Sequence, residues 1–103
     1  MSVPDEIIHQ TIRLRIMSAL NALPQSELIE FTRLRSLVQA TDGNLATHLA
    51  TLENADYVVI KKDFVGKKPR TRIGMTRTGR RAFERHVSYL REILDLDGPP
   101  ATA

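Results

Sequence analysis

The sequence predicts a small α+β domain that is mostly helical. Apolar residues recur at helical spacing through residues 5–54 and again through residues 78–94. From Tyr57 the pattern changes to two β-branched and aromatic runs, which are separated by "GKKP". The 103 residues suit a single domain, which we expect to span residues 1–97 and to be followed by a frayed tail at 98–103.

The first and last helices are both predicted to be apolar on more than one side. The first spans residues 5–23, where Pro4 and Asp5 suit a helix start and Pro24 suits its end. Three of its apolar side chains lie off the main stripe: Ile7, Leu14 and Met17. The last helix, over residues 78–95, carries a second apolar stripe of Ala82, His86, Tyr89 and Ile93. Such helices are either deeply buried or shared between a core and a partner.

Two shorter helices are predicted between them. Thr32 can cap the first of these, and the preceding "LIEF" suits a short strand. "ATDGN" then interrupts the periodic pattern, and Thr41 or Asp42 can cap a helix over residues 42–54. Two short helices joined by a tight turn form a helix-turn-helix.

The outward face of the helix at residues 42–54 is unusual for a solvated helix. Leu45, Leu49 and Leu52 make a narrow core stripe. The far side carries small hydrogen-bonding side chains in place of a Lys/Glu mixture: Asn44, Thr47 and Thr51, with His48 at the stripe's edge. These residues could read base edges, although Asn44 could also cap its own turn and His48 could pack against the core.

Basic residues are concentrated in the predicted hairpin, whose strands span residues 57–65 and 70–76 and whose tip spans 66–69. Residues 61–72 hold one acidic residue and six basic ones, whereas the rest of the chain holds eleven acidic and nine basic residues. The basic residues are Lys61, Lys62, Lys67, Lys68, Arg70 and Arg72. Charge alone leaves open a solvated loop or a polyanionic partner. A basic hairpin directly after a helix-turn-helix favours nucleic acid and predicts a winged helix-turn-helix.

The stretch "DGNLATHLATLENADYVVIKKDFVGKKPRTRIGMTRTGRRAFERHV" resembles small stand-alone winged-helix transcriptional regulators related to the MarR and ArsR groups. The resemblance covers about residues 9–94. It implies a three-helix core, a two-stranded wing and a long C-terminal dimerisation helix, in a homodimer that binds double-stranded DNA. We expect a repressor. The implied base-reading positions are Asn44, Thr47 and His48, to which the helix face adds Thr51, and the implied wing positions are Lys67, Lys68, Pro69, Arg70 and Thr71.

The resemblance also implies that the first and last helices form the dimer interface. The apolar side chains expected there are Ile7, Leu14, Met17, Ala82, His86, Tyr89 and Ile93. Asp56 stands where this family often has Gly, so the recognition helix is expected to end without a glycine cap.

Other functions have less support in the sequence. There is no Cys, no signal peptide and no apolar run of membrane-spanning length, so we expect a cytoplasmic protein without a membrane partner. No nucleophile motif or phosphate loop points to an enzyme or a cofactor. No two of the three histidines have metal-ligand spacing, although His86 with Asp95 or Asp97 could imitate a zinc site. A protein-interaction module and a metal- or ligand-sensing regulator with an unidentified effector remain alternatives.

Overall fold

The computed structural model describes residues 3–96 and confirms the winged-helix fold. Three strands form one antiparallel sheet in the order β1-β3-β2. The predicted tail at 98–103 and Asp97 lie outside the described residues. The elements are α1 (Thr11–Asn21), β1 (Ile29–Glu30), α2 (Phe31–Val38), α3 (Asp42–Asn54), β2 (Val58–Val65), β3 (Lys68–Met75) and α4 (Arg77–Leu96).

The first helix is shorter than the predicted span of 5–23, because its N-terminal part forms a separate turn. The Asp5 carboxylate accepts hydrogen bonds from the amides of Ile7 and Ile8 at 2.8 and 2.9 Å, and the His9 amide donates to the Asp5 carbonyl. Gln10 is then extended, with ψ 137°, and α1 begins at Thr11. Asp5 therefore does cap a helical turn, but that turn does not continue into the helix.

The helix-turn-helix confirms the predicted span of α3 and corrects one predicted cap. The residue before α2 is Glu30, whose side chain makes no capping bond, so the assignment of Thr32 as the cap is wrong. α2 is terminated by the residue that follows it, Gln39, which adopts a left-handed conformation with φ 56°. The Thr41 hydroxyl then accepts from the Asn44 amide at 3.1 Å and starts α3.

The core lies between the helices and the inner half of the sheet. Each helix contributes one apolar stripe. The sheet contributes one face, at the end of the hairpin nearest the helices. The fully or almost fully buried residues are Ile8, Ile16, Met17, Leu20, Ile29, Leu34, Val38, Leu45, Leu49, Leu52, Val58, Ile73, Ala82 and Phe83. The predicted stripe of Leu45, Leu49 and Leu52 is part of this core.

The wing is the β2–β3 hairpin, and its turn is tighter than predicted. Val65 pairs with Lys68, so Gly66 and Lys67 alone form the turn. Gly66 has φ 65°, a conformation that glycine adopts at no steric cost. Lys68 and Pro69 belong to β3 and not to the tip. β1 pairs only with Ile73 and Arg72, so the outer part of β3 is an edge on that side, where proline is tolerated.

The start of α4 is joined tightly to the end of α3. The Thr76 hydroxyl donates to the Asp56 carbonyl at 2.6 Å and accepts from the Gly79 amide at 2.8 Å. Asp56 is left-handed, with φ 64°, at the helix end that was expected to lack a glycine cap. A methyl group on Gly79 would come within 2.8 Å of the Tyr57 carbonyl carbon, so only glycine fits this approach.

Candidate nucleic-acid interface

The outward face of α3 presents polar side chains to solvent. Asn44 and Thr47 are exposed, and His48 and Thr51 are half-buried. The cap of this helix is supplied by Thr41, and the Asn44 side-chain amide makes no hydrogen bond to any described residue. The Thr51 hydroxyl donates to the Thr47 carbonyl at 3.4 Å, which leaves its oxygen able to accept. Of the four side chains, Asn44 is therefore the one with a free bidentate donor and acceptor pair.

The wing flanks α3 and is separated from it by a groove of about 350 Å³. On the α3 side the groove is lined by Ala46, Ala50 and Glu53, and on the wing side by Lys62 and Thr71. Helical spacing places these α3 residues between the core stripe and the polar outward face. The wing face that carries Lys62 thus lies next to the surface that carries Asn44 and Thr47.

The register of the hairpin divides the charged residues between two faces. Lys61 pairs with Arg72 and Asp63 pairs with Arg70, so these four side chains share the face that points away from α3. Lys62 pairs with Thr71 on the opposite face, which continues inward to the buried Ile73. The order of the basic residues along the chain therefore does not reveal which of them act together.

The Asp63 carboxylate forms ion pairs with both arginines of the wing. It accepts from Arg70 Nε at 2.9 Å and from Arg70 Nη2 at 2.8 Å, and it also accepts from Arg72 Nη2 at 3.0 Å. The hydrogen bonds from Arg70, together with the two positive charges, lower the pKa of Asp63 to about 2. The same pairing raises the pKa of Arg70. The sequence prediction missed this role, although an aspartate two residues beyond Lys61 in a predicted hairpin was a usable signal.

The four lysines of the wing are the more available cations. All are exposed, and none makes an ion pair with another described residue. They are Lys61, Lys62, Lys67 and Lys68. Arg70 and Arg72, by contrast, have partly neutralised charges and side chains that are fixed across the hairpin. The six predicted wing cations therefore fall into two groups with different freedom to meet a ligand.

Part of the predicted dimer surface is buried within the single chain. Met17 and Ala82 belong to the core, and His86 is 2% exposed, so these three side chains leave almost no surface for a partner. Their apolar arcs are covered by the chain's own N-terminal turn and helices. The remaining predicted residues stay accessible: Ile7, Leu14 and Tyr89 are half-buried, and Ile93 is 42% exposed.

The buried His86 belongs to a polar network that ties the N-terminal turn to the rest of the fold. Its Nδ1 accepts from the Asp5 amide at 3.0 Å, and its ring stacks on Tyr89 with 5.8 Å between centroids. The Tyr57 hydroxyl donates to the Asp5 carboxylate at 2.7 Å. Burial lowers the pKa of His86, and burial together with the hydrogen bond to Asp5 raises the pKa of Tyr57 to about 12.

Two further properties of the described chain bear on its partners. Within residues 3–96, no three or more His, Asp or Glu side chains are grouped so that they could hold a metal ion. None of the helices in this part of the chain has the length and hydropathy needed to cross a membrane.

Comparisons with known proteins agree with this geometry. The chain is 36% identical over 91 residues to the uncharacterized protein MJ0432 of Methanocaldococcus jannaschii, covering 88% of this chain and 92% of that one. A transcriptional regulator homologue from Pyrococcus horikoshii superposes with a TM-score of 0.79 at 28% identity, covering 91% of both chains. A MarR family transcriptional regulator from Silicibacter pomeroyi shares the fold, with a TM-score of 0.67 at 16% identity, over 94% of this chain and 62% of that one.

A family model described as a winged helix DNA-binding domain matches residues 12–94, which include α3 and the whole wing. The match covers most of the described structure, and its description agrees with a helix that has an exposed polar face beside a basic hairpin. The chain belongs to the winged helix DNA-binding domain family, and its fold is that of the MarR-like transcriptional regulators.

Proposed function

We propose that this protein is a homodimeric transcriptional regulator that binds double-stranded DNA sequence-specifically, with α3 in the major groove and the wing on the flanking backbone or minor groove. The observation that carries the proposal is the free side-chain amide of Asn44 at the exposed start of α3, beside a wing that carries four unpaired lysines. Asparagine can pair bidentately with adenine, and the groove admits an α-helix.

Base reading and DNA holding would fall to different residues. Asn44 would read an adenine, and the methyl and hydroxyl groups of Thr47 and Thr51 would meet neighbouring bases. His48 is half-buried and would reach the duplex only from the edge of the face. The exposed wing lysines would neutralise phosphates, which sets affinity and register more than sequence preference. Arg70, Thr71 and Arg72 would support the wing and face the backbone from its flanks.

The homodimer is proposed from apolar surface that the single chain leaves uncovered. Leu14, Tyr89 and Ile93 line one groove between the N-terminal segment and α4, and Leu94 beside them is 72% exposed. Pairing these surfaces between two copies would remove them from water and present two copies of α3 to a pseudo-palindromic operator. Ile7 lies on the same N-terminal segment and would join this interface.

The biological role follows from this mode of binding. A dimer that occupies an operator overlapping a promoter excludes polymerase, so we propose a cytoplasmic repressor that performs no catalysis. An unidentified small-molecule effector would act between the dimerisation surface and the DNA-binding elements. A protein-interaction module is the second candidate, and the exposed apolar groove at α4 is the observation that favours it. The unpaired wing lysines favour DNA over that alternative, because a docking surface for a protein does not need them.

Selection of bound sequences from random duplex DNA tests binding, specificity and two-fold symmetry in one experiment. We expect an inverted repeat with half-sites about one helical turn apart. Asn44→Ala should relax the preference at one position in each half-site, at a cost of about 1–3 kcal/mol. Recovery of no enriched duplex by the wild-type protein at low salt would overturn DNA binding as the function.

The wing assignment has its own measurement. Replacing Lys67 and Lys68 with alanine should weaken binding to every duplex and reduce the slope of log K against log salt by about 0.9 for each phosphate that is no longer neutralised. Arg91→Ala is the matched control, because Arg91 is an exposed cation on the side of α4 away from Tyr89 and Ile93. An equal change of slope in the control and the lysine variants would contradict the proposed phosphate binding by the wing.

A further inference from the structure

The tip of the wing carries two exposed apolar side chains within its most basic stretch. Phe64 is 69% exposed and Val65 is 57% exposed. Both belong to β2, immediately before the Gly66–Lys67 turn. A single exposed apolar side chain is ordinary on a protein surface, so it is the position of the Phe64 ring among lysines at the tip of the wing, and not its exposure alone, that points to a partner.

The hairpin register places these two side chains on opposite faces. Phe64 pairs with Pro69, on the same face as the Lys62–Thr71 pair that lines the groove beside α3. Val65 pairs with Lys68 on the other face, together with Asp63 and its arginines. Phe64 therefore points to the side of the wing on which α3 presents Asn44 and Thr47, about 7 Å further out than Lys62.

The surroundings of Phe64 select the chemistry of its partner. Lys62 precedes it on the same face, and Lys67 and Lys68 follow it at the turn, all exposed and without an acidic partner among the described residues. A purely apolar protein surface would bury these charges without compensation. A nucleic-acid minor groove instead offers apolar sugar and base edges between two rows of phosphates, which matches a phenyl ring set among lysines.

We propose that Phe64, backed by Pro69, is an apolar wedge that enters the minor groove next to the major groove contacted by α3. The B-DNA minor groove is about 6 Å wide, so a two-stranded tip stays at its mouth and a single side chain enters. Lys67 and Lys68 then lie over the phosphates on its walls. This inference rests on the proposed DNA binding and adds a specificity-determining residue that makes no hydrogen bond to a base.

A wedge of this kind selects DNA by its deformability. Apolar side chains that enter the minor groove partly unstack a base step, and the energy required depends on the sequence being deformed. Pyrimidine–purine steps such as TA and CA unstack most easily. Phe64 would therefore create a preference for such a step flanking the bases read by α3, at positions where no side chain reads a base edge.

The test compares Phe64→Ala with Val65→Ala on the duplex selected by the wild-type protein. Both replace an exposed apolar side chain at the tip, so neither disturbs the core and both should melt like the wild type. Phe64→Ala should weaken binding about tenfold, because the phenyl ring no longer buries apolar surface against the duplex. It should leave the salt slope unchanged, because every phosphate-binding lysine is still present. Val65→Ala should stay within about twofold of the wild type.

Two readouts separate a wedge from a general weakening of binding. In a repeated selection, Phe64→Ala should no longer show the flanking step preference and should keep the bases read by α3. A 2-aminopurine placed at the flanking step should brighten on binding the wild type and Val65→Ala, and stay quenched with Phe64→Ala. Phe64→Leu should recover part of the affinity, because leucine also serves as a minor-groove wedge.

The outcomes distinguish the wedge from the function on which it rests. If the wild type binds no duplex, DNA binding fails and the wedge fails with it. If the wild type binds and Phe64→Ala keeps its affinity and flanking preference, the wedge alone is overturned. Equal losses of affinity in Phe64→Ala and Val65→Ala would also overturn it, since the two side chains point to opposite faces. So would a Phe64→Ala variant that keeps full DNA binding but loses binding to a protein.

Discussion

Two helices of this chain begin in the same way and lie in opposite environments. At the start of α3, the Thr41 hydroxyl accepts from the Asn44 amide at 3.1 Å. At the start of α4, the Thr76 hydroxyl accepts from the Gly79 amide at 2.8 Å. Each threonine thus satisfies the amide three residues further on, which is the usual bond of a helix N-cap.

The surroundings of the two first turns differ completely. Gly43, in the first turn of α3, has nothing within 4 Å of the place where a side chain would begin. Gly79, in the first turn of α4, packs directly on the backbone of Tyr57, and Thr76 also donates to the Asp56 carbonyl. The first turn of α3 is open to solvent. The first turn of α4 is packed, and its contacts hold α4 against the connection between α3 and β2.

The comparison shows that a capping bond determines where a helix begins, but not whether its first turn is exposed to a partner or packed against the fold. The open start leaves the Asn44 side chain available to a partner, as the proposed recognition helix requires. The closed start uses the same local bond to fix the relative position of two elements. Substitutions of the same chemical kind should therefore have opposite or unequal effects at the two ends.

The largest effect is expected from Gly79→Ala. The new methyl group would overlap the Tyr57 carbonyl oxygen, and the obstructing atoms are backbone rather than a flexible side chain, so they have little room to relax. We expect a loss of about 3 kcal/mol in the free energy of unfolding, at the upper end of ordinary overpacking effects. Urea denaturation monitored by circular dichroism measures it.

Gly43→Ala is the matched control, because it makes the same change at the open start. No atom obstructs the methyl group, and alanine favours a helix over glycine by up to about 1 kcal/mol. The control should therefore be slightly more stable than the wild type. A Gly79→Ala variant that also gained stability would show that the approach to Tyr57 is not tight in solution.

A smaller contrast is expected between the two capping threonines. Thr76→Ala removes the cap and the hydrogen bond to Asp56, whereas Thr41→Ala removes one bond at an exposed position. We expect the free energy of unfolding to fall by about 2 kcal/mol for Thr76→Ala and by about 1 kcal/mol for Thr41→Ala. Thr→Ser at either position keeps the hydroxyl and should restore most of the stability. Equal losses of stability at the two sites would contradict the distinction between the exposed start of α3 and the packed start of α4.

The helices, the wing and the polar face of α3 could be predicted because each leaves a local signal. The leucine stripe and the Thr41 cap together determine the bounds of α3, and the change of period at Tyr57 marks the hairpin. Lys67 and Lys68 were identifiable as wing cations because one lies in the turn of the hairpin and the other directly follows it. These features depend on residues that are close together in the chain, so the local sequence is enough to predict them.

The features that escaped prediction depend on contacts between distant residues. The pairing of Asp63 with Arg70 and Arg72 follows from the hairpin register, which counting charges along the chain does not give. Met17 and Ala82 looked like interface residues because a wide apolar arc does not reveal what covers it. The closeness of Gly79 to Tyr57 likewise exists only once the elements are assembled.

The smallest expected effect is a dependence of stability on pH. It should involve the packed start of α4 and not the exposed start of α3. Tyr57 packs on Gly79 through its backbone and donates its hydroxyl to Asp5, whose amide donates to His86 Nδ1. Protonation of His86 would remove that acceptor and place a charge in a buried site. Burial accordingly lowers the pKa of His86, while the charge of Asp5 partly opposes this shift and that of His9 adds to it.

The sign of the response follows from this direction. The unfolded chain takes up the proton near the ordinary histidine pKa of about 6.5, whereas the folded chain does so only at lower pH. The free energy of unfolding should therefore be fully retained above about pH 6.5 and should fall as the pH drops below it. Urea denaturation between about pH 7.5 and pH 5 measures this decrease, which should vanish in His86→Phe and persist in His48→Gln. After correction for intrinsic rates, acid should speed amide exchange at Gly79 more than at Asn44, because only the closed start is linked to His86.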